Sequence, residues 1–167
     1  MCGITGFFLN KSSASISAES AIANMTESLH HRGPDERRYW YNQNIGVALG
    51  HTRLAIIDLS NLASQPYISK NEKQILVFNG EIYNYLTIKR QLISLCHSFS
   101  SKSDTEVMLL AFLEWGVEKA LGRLEGMFAF AYLDIDADQL TIGRDRMGEK
   151  PLYYGEVENS FVFGSEL

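Results

Sequence analysis

The chain has 167 residues, 46% of them hydrophobic and 21% charged, a composition that fits one folded domain with a sizeable core and excludes a disordered chain. Fifteen Lys and Arg against 20 Asp and Glu leave a net charge of −5, which repels phosphate backbones, so no nucleic-acid partner is expected. Two cysteines are too few for a stapled secreted scaffold.

The N-terminal stretch MCGITGFFLN lacks the basic start of a signal peptide. No apolar run nears the ~20 residues of a membrane span. A cytoplasmic domain without membrane contact is expected. In the first strand Ile4, Gly6 and Phe8 alternate with Thr5, Phe7 and Leu9, apolar on both faces and therefore buried on both. Residues 11–17 are serine-rich and read as a loop. Ser17 is a candidate N-cap for a helix whose apolar face is Ala18, Ile22, Met25 and Leu29. Gly33-Pro34 stops it.

Residues 38–59 read as short strands broken at 42–44 and at Gly50, and 60–73 as a polar, proline-bearing connection. The apolar run 75–78 predicts a strand ending at Asn79-Gly80. Tyr85, Ile88, Leu92 and Leu95 recur at helical spacing. Ser103 to Glu106 open a further helix as a capping box, with Met108, Ala111, Phe112 and Trp115 as its apolar face and Gly116 as its stop. Strands are predicted at 127–133, 139–143, 151–155 and 160–164. Together these elements predict an α+β fold in which stacked sheets are covered by helices.

Several residues carry chemistry beyond the fold. Cys2 alone reads as a small buried hydrophobe. Its position allows a second reading: cysteine is small enough for Met1 to be removed in front of it, leaving a thiol and a free α-amine on one residue. That amine, with an ordinary pKa of about 7.7–8.0, can take the thiol proton. Asn79-Gly80 reads either as a tight turn or as an oxyanion hole, with one side-chain amide and one backbone N–H. Asp104 suits a helix dipole. Arg53, in the apolar run HTRLAII, needs an anion from the protein or from a ligand.

Other patterns point away from metals and phosphates. Asp134, Asp136 and Asp138 resemble the start of a calcium loop, but Gln139 and Asp145 stand where glycine and glutamate are needed, so a hairpin turn is expected. His30, His31, His51 and Cys96 lack zinc spacing. His30-His31 reads as the end of a helix. No Gly-rich phosphate loop is present.

The segments MCGITGFF, HHRGPDE, HTRLAIIDLS, QP at 65–66, FNGEIYNY, SDTEVML, GMFAFAYLD, RDRMGEKPLYYG and FGSEL resemble, in order, the class II glutamine amidotransferase domain, an N-terminal-nucleophile hydrolase. They are most similar to the glutaminase domain of glutamine-hydrolysing asparagine synthetases. The resemblance implies an αββα four-layer sandwich and a set of roles. Cys2 would attack the side-chain amide of L-glutamine with its own α-amine as base, and Asn79 and Gly80 would form the oxyanion hole. Arg53 would clamp the glutamine α-carboxylate, Asp104 aided by Glu81 would hold the α-ammonium, and Leu54 and Ile56 would line the pocket.

Met147 and the spelling SNLASQP depart from the family pattern without touching this chemistry. The resemblance further implies that residues 1–167 form a single glutaminase domain needing no metal or organic cofactor. ATP and magnesium would belong to a synthetase domain or subunit absent from this chain. Within the same resemblance, two alternatives stand beside asparagine-directed ammonia supply: a glutaminase feeding another acceptor, and a catalytically silent glutamine-binding or interface domain.

Overall fold

The computed structural model describes residues 1–9, 18–56, 58–158 and 160–167. The serine-rich loop 11–17 and its candidate cap Ser17 lie outside the described residues. In chain order the elements are β1 (Gly3–Phe8), α1 (Ala18–Ser28), β2 (Glu36–Asn42), β3 (Val47–Arg53), β4 (Tyr67–Ile68), β5 (Gln74–Ile82), α2 (Tyr85–Ser94), α3 (Asp104–Trp115), α4 (Val117–Leu121), β6 (Gly126–Asp134), β7 (Gln139–Arg144), β8 (Tyr153–Val157) and β9 (Ser160–Gly164). Five strands form one sheet in the order β2-β3-β1-β9-β8 and four form another in the order β4-β5-β6-β7. The strand pairs are antiparallel.

Alternation along the strands sorts the side chains into layers. Ile4, Val47 and Leu49 of the first sheet meet Ile75, Val77, Ala129, Ala131 and Leu133 of the second. The opposite parity of the first sheet, with Phe7 and Ala48, packs on Ile22 of α1. The opposite parity of the second, with Leu76, Phe78, Ile82, Phe128 and Phe130, packs on α2, α3 and α4. The result is helix, sheet, sheet, helices: the expected four-layer αββα sandwich. Phe112 of α3 packs against Phe130 and Tyr132 with ring centres 5.3 and 5.2 Å apart, which fixes the helix over β6. Pairs of this kind add about 0.5–1.5 kcal/mol beyond burial.

Four local expectations are corrected. Gly50 does not break a strand; it lies inside β3 opposite Thr5 and Tyr39. A Cβ there would sit 2.1 Å from Thr26 Oγ1, so glycine serves the close approach of α1 and not a turn. Likewise Asn79-Gly80 is no turn. β5 runs through both residues to Ile82, paired with Ala129 and Phe128. The backbone crowding explains the glycine, since a Cβ on Gly80 would meet Met127 O at 2.2 Å.

The capping box is only half formed. Ser103 Oγ accepts from Thr105 N at 3.1 Å. Glu106 turns instead to the Ser100 and Ser101 amides, at 2.8 and 2.7 Å, because the preceding loop offers nearer donors. Leu95 is a half-exposed C-cap outside α2. β4 and the short helix α4 went unpredicted, each being too brief to show a period. The Asp134 turn is a hairpin, with Asp134 Oδ1 accepting from Asp136 N at 3.1 Å. His30–Arg32 form a 3-10 turn after α1. No helix among the described residues is long and apolar enough to cross a membrane.

Candidate active site

The interlayer face is apolar along most of its length and becomes polar at one end. On β3 the parity of Val47 and Leu49 continues to His51 and Arg53; on β5 that of Ile75 and Val77 continues to Asn79 and Glu81. On β6 Ala131 and Ala129 lead to Met127, and before β1 Ile4 leads back to Cys2. Because β1 pairs Ile4 with His51, Cys2 is brought beside Arg53. α3 delivers Asp104 as its first residue. Strand alternation thus carries residues distant in sequence to one end of the sandwich.

There they line a single cavity of about 190 Å³. All eight residues singled out in the sequence border it: Cys2, Arg53, Leu54, Ile56, Asn79, Gly80, Glu81 and Asp104. Gln65, Met127 and Lys150 border it too without having been assigned a role. Met127 was accessible from the alternation of β6. Met1 also lines the cavity, and its Sδ lies 3.0 Å from Lys150 Nζ.

Cys2 is held from several sides. Its Sγ accepts from Leu54 N at 3.4 Å and contacts Leu54 O at 3.7 Å. Its carbonyl accepts from Arg32 Nε at 3.1 Å, and Arg32 Nη1 continues to Glu166 at 2.7 Å. Ser165 pins the start of β1 through both polar groups of Ile4, at 3.0 and 2.9 Å. Burial pushes the thiol above its ordinary pKa, opposed by the Leu54 N–H and by Arg53. Such a thiol is almost wholly protonated at neutral pH and needs a local base. Buried His51 is not that base: desolvation lowers its pKa to about 3, and its Nε2 faces Phe78 O at 3.2 Å as a donor.

β5 presents two donors to the cavity. Asn79 is 1% exposed, and its Nδ2 has no hydrogen-bond partner. A buried amide nitrogen left unpaired costs about 1–3 kcal/mol, so this group is poised for an acceptor. The free edge of β5 carries the amides of alternate residues. Phe78 N is taken by Gln65 Oε1 and Ile82 N by Asp104 Oδ2, at 2.6 and 3.0 Å, and the Gly80 N–H lies between them on that edge.

Arg53 is 7% exposed and finds a protein anion: Glu36, its cross-strand neighbour, with Nη1 to Oε2 at 3.5 Å. Nη1 also donates to Ser60 O at 3.1 Å, and Nη2 donates to Asp58 O. Nη2, with one partner, retains a second N–H for an incoming carboxylate. Asp58 in turn caps the loop, accepting from Ser60 N and Lys102 N, both at 2.8 Å. Asp104 is 5% exposed. Desolvation raises its pKa to about 6, with the Ile82 N–H pulling the other way. An anion this poorly solvated favours a cationic partner.

The αββα sandwich with a cysteine at the start of its first interlayer strand is the architecture of amidotransferases of the N-terminal-nucleophile type. Glutamine phosphoribosylpyrophosphate amidotransferase from Bacillus subtilis, solved with ADP and GMP, superposes with a TM-score of 0.78 at 23% identity, covering 98% of this chain and 42% of that one. The family model described as the glutamine amidotransferase domain matches residues 1–167, and the chain belongs to that family. It is 37% identical to asparagine synthetase (glutamine-hydrolyzing) 3 and 38% identical to asparagine synthetase (glutamine-hydrolyzing) 1, both of Bacillus subtilis strain 168. These alignments cover 100% and 99% of this chain but 27% and 26% of those proteins. The chain therefore spans about a quarter of the length of the relatives it matches.

Proposed function

We propose that this domain hydrolyses L-glutamine to glutamate and ammonia through a γ-glutamyl thioester on Cys2. The observation that carries the reading is the buried, unpartnered Asn79 Nδ2 in the cavity that also holds the Cys2 thiol. Removal of Met1 frees the Cys2 α-amine, which takes the thiol proton as sulfur attacks the amide carbon. The carbonyl oxygen, now an anion, is received by Asn79 Nδ2 and the Gly80 N–H. The protonated amine returns its proton to the leaving nitrogen, and ammonia departs as the thioester forms. A water, deprotonated by the same amine, attacks the thioester, and glutamate and the free thiol result. Arg53 holds the α-carboxylate, Asp104 with Glu81 holds the α-ammonium, and Leu54 and Ile56 close the pocket wall.

No metal or organic cofactor enters this half-reaction. The ammonia passes to an ATP- and magnesium-using asparagine-synthetase-like module. The relatives, being much longer glutamine-hydrolyzing asparagine synthetases, support an asparagine-synthetase-like acceptor.

The test is glutamate release by the processed protein without ATP, joined to intact mass before and after a glutamine-analogue electrophile. The expected result is loss of Met1 and one adduct, mapped to Cys2. Cys96 is fully available as an internal control, being exposed. Labelling of Cys96 with Cys2 untouched overturns the assignment.

A further inference from the structure

The geometry points to Gln65 as a positioning residue for the oxyanion donors, an inference that rests on the glutaminase reading above. β4 pairs Tyr67 with Leu76 and Ile68 with Ile75. The ladder stops at Tyr67, and Gln65, two residues before β4, pairs with Phe78 through its side chain. Its Oε1 accepts from Phe78 N at 2.6 Å and its Nε2 donates to Phe78 O at 3.2 Å. Those two contacts fix the orientation of the amide, since the N–H requires the oxygen and the carbonyl requires the nitrogen.

Phe78 O belongs to the peptide unit that leads into Asn79. Gln65 Nε2 and His51 Nε2 both donate to that oxygen, each at 3.2 Å, so the plane of the peptide is held from two sides. Gln65 Nε2 also reaches Thr105 Oγ1 at 3.2 Å. One buried side chain, 6% exposed, therefore ties the strand bearing Asn79 and Gly80 to the first turn of α3. Oxyanion donors act only if placed to within a fraction of an ångström. The role of Gln65 is to hold that placement through Phe78; it is a positioning residue and makes no contact with the reacting atoms.

The test is a double-mutant cycle in processed protein, with competent sites counted by the glutamine-analogue electrophile so that misfolded molecules do not register as lost rate. Gln65→Met keeps the side-chain length and deletes both polar ends. It is expected to lower kcat about 10–100-fold, while KM moves by less than about threefold. In an Asn79→Ala background the same change is expected to cost several-fold less, because one of the two donors it positions is already gone and only the Gly80 N–H remains. Thr105→Val removes only the contact to α3 and is expected to give the same pattern at about threefold in kcat.

Equal costs in the two backgrounds, or a loss confined to KM, overturn the inference. If Gln65→Met does not fold, Thr105→Val decides, and an unchanged kcat in it overturns the inference as well. Wild-type protein that releases no glutamate overturns the glutaminase reading and this inference together. Active wild type with additive losses overturns this inference alone.

Discussion

The two walls of the cavity are built differently. The β5 wall is a strand interior, paired to β6 through Asn79 and Gly80 and pinned on its free edge by Gln65 and Asp104. The facing wall begins at Arg53, the last residue of β3, and beyond it Leu54, Ile56 and Leu59 belong to no strand, with Ile56 and Leu59 75% and 77% exposed. Its order comes from Arg53 donating to Asp58 O and Ser60 O and from the Asp58 cap. Donors that must meet a transition state belong on the rigid wall, whereas groups that receive a flexible substrate can sit on the adaptable one. Variants on the first wall are expected to change kcat, and variants on the second to change affinity.

The largest effect lies between the walls. Cys2→Ala should abolish glutamate release while glutamine still binds, which calorimetry on that variant measures. Cys2→Ser should fold normally and turn over very slowly, since a hydroxyl yields its proton far less readily than a thiol. Next comes the rigid wall: Asn79→Ala should lower kcat by about 10²–10³, with little change in glutamine affinity on the Cys2→Ala background. A variant that loses rate and affinity in equal measure would erase the distinction between the walls.

The residues of both walls were legible in the sequence, but the relation between them was not. Ordered motifs placed Cys2, Arg53, Asn79 and Asp104 on the list of reactive groups, and the apolar runs 75–78 and 127–133 marked two of the strands. Asn79-Gly80 was misread as a turn because Asn-Gly is a local turn signal, whereas the close approach of Met127 O that demands the glycine is a tertiary fact. Gly50 misled for the same reason, its small size serving Thr26 across a layer. The need of Arg53 for an anion was foreseen. Its answer, Glu36 in cross-strand register, depends on the pairing of β2 with β3. Gln65 was quoted as part of a motif, but its amide has meaning only once β5 lies beside it.

On the adaptable wall, Arg53→Lys keeps a cation and loses the fork that serves Ser60 O, Asp58 O and a carboxylate together. Losing one charge-assisted contact of about 1.5–3 kcal/mol predicts roughly ten- to hundredfold weaker glutamine binding. The kcat at saturating glutamine should change much less. A kcat loss as large as that of Asn79→Ala would mean that Arg53 acts on the transition state.

The smallest effect tests Asp104, which stands where the two walls meet. Its carboxyl titrates at about 6 when the site is unliganded, against 3.8 ordinarily. Glutamine brings an ammonium that needs the ionised form, so affinity should fall about tenfold from pH 7 to pH 5 as the carboxylate protonates. Stability runs the other way. Between those two pKa values the folded state binds the extra proton, so the contribution of Asp104 is greatest below pH 4. It is lost as pH rises through about 6, by up to roughly 3 kcal/mol. Asp104→Asn retains an oxygen for Ile82 N and has no charge to bury. At pH 7 it should therefore resist urea better than the parent while binding glutamine less well and without pH dependence. A variant that unfolds more readily at pH 7 and binds glutamine as the parent does would make Asp104 a structural cap alone.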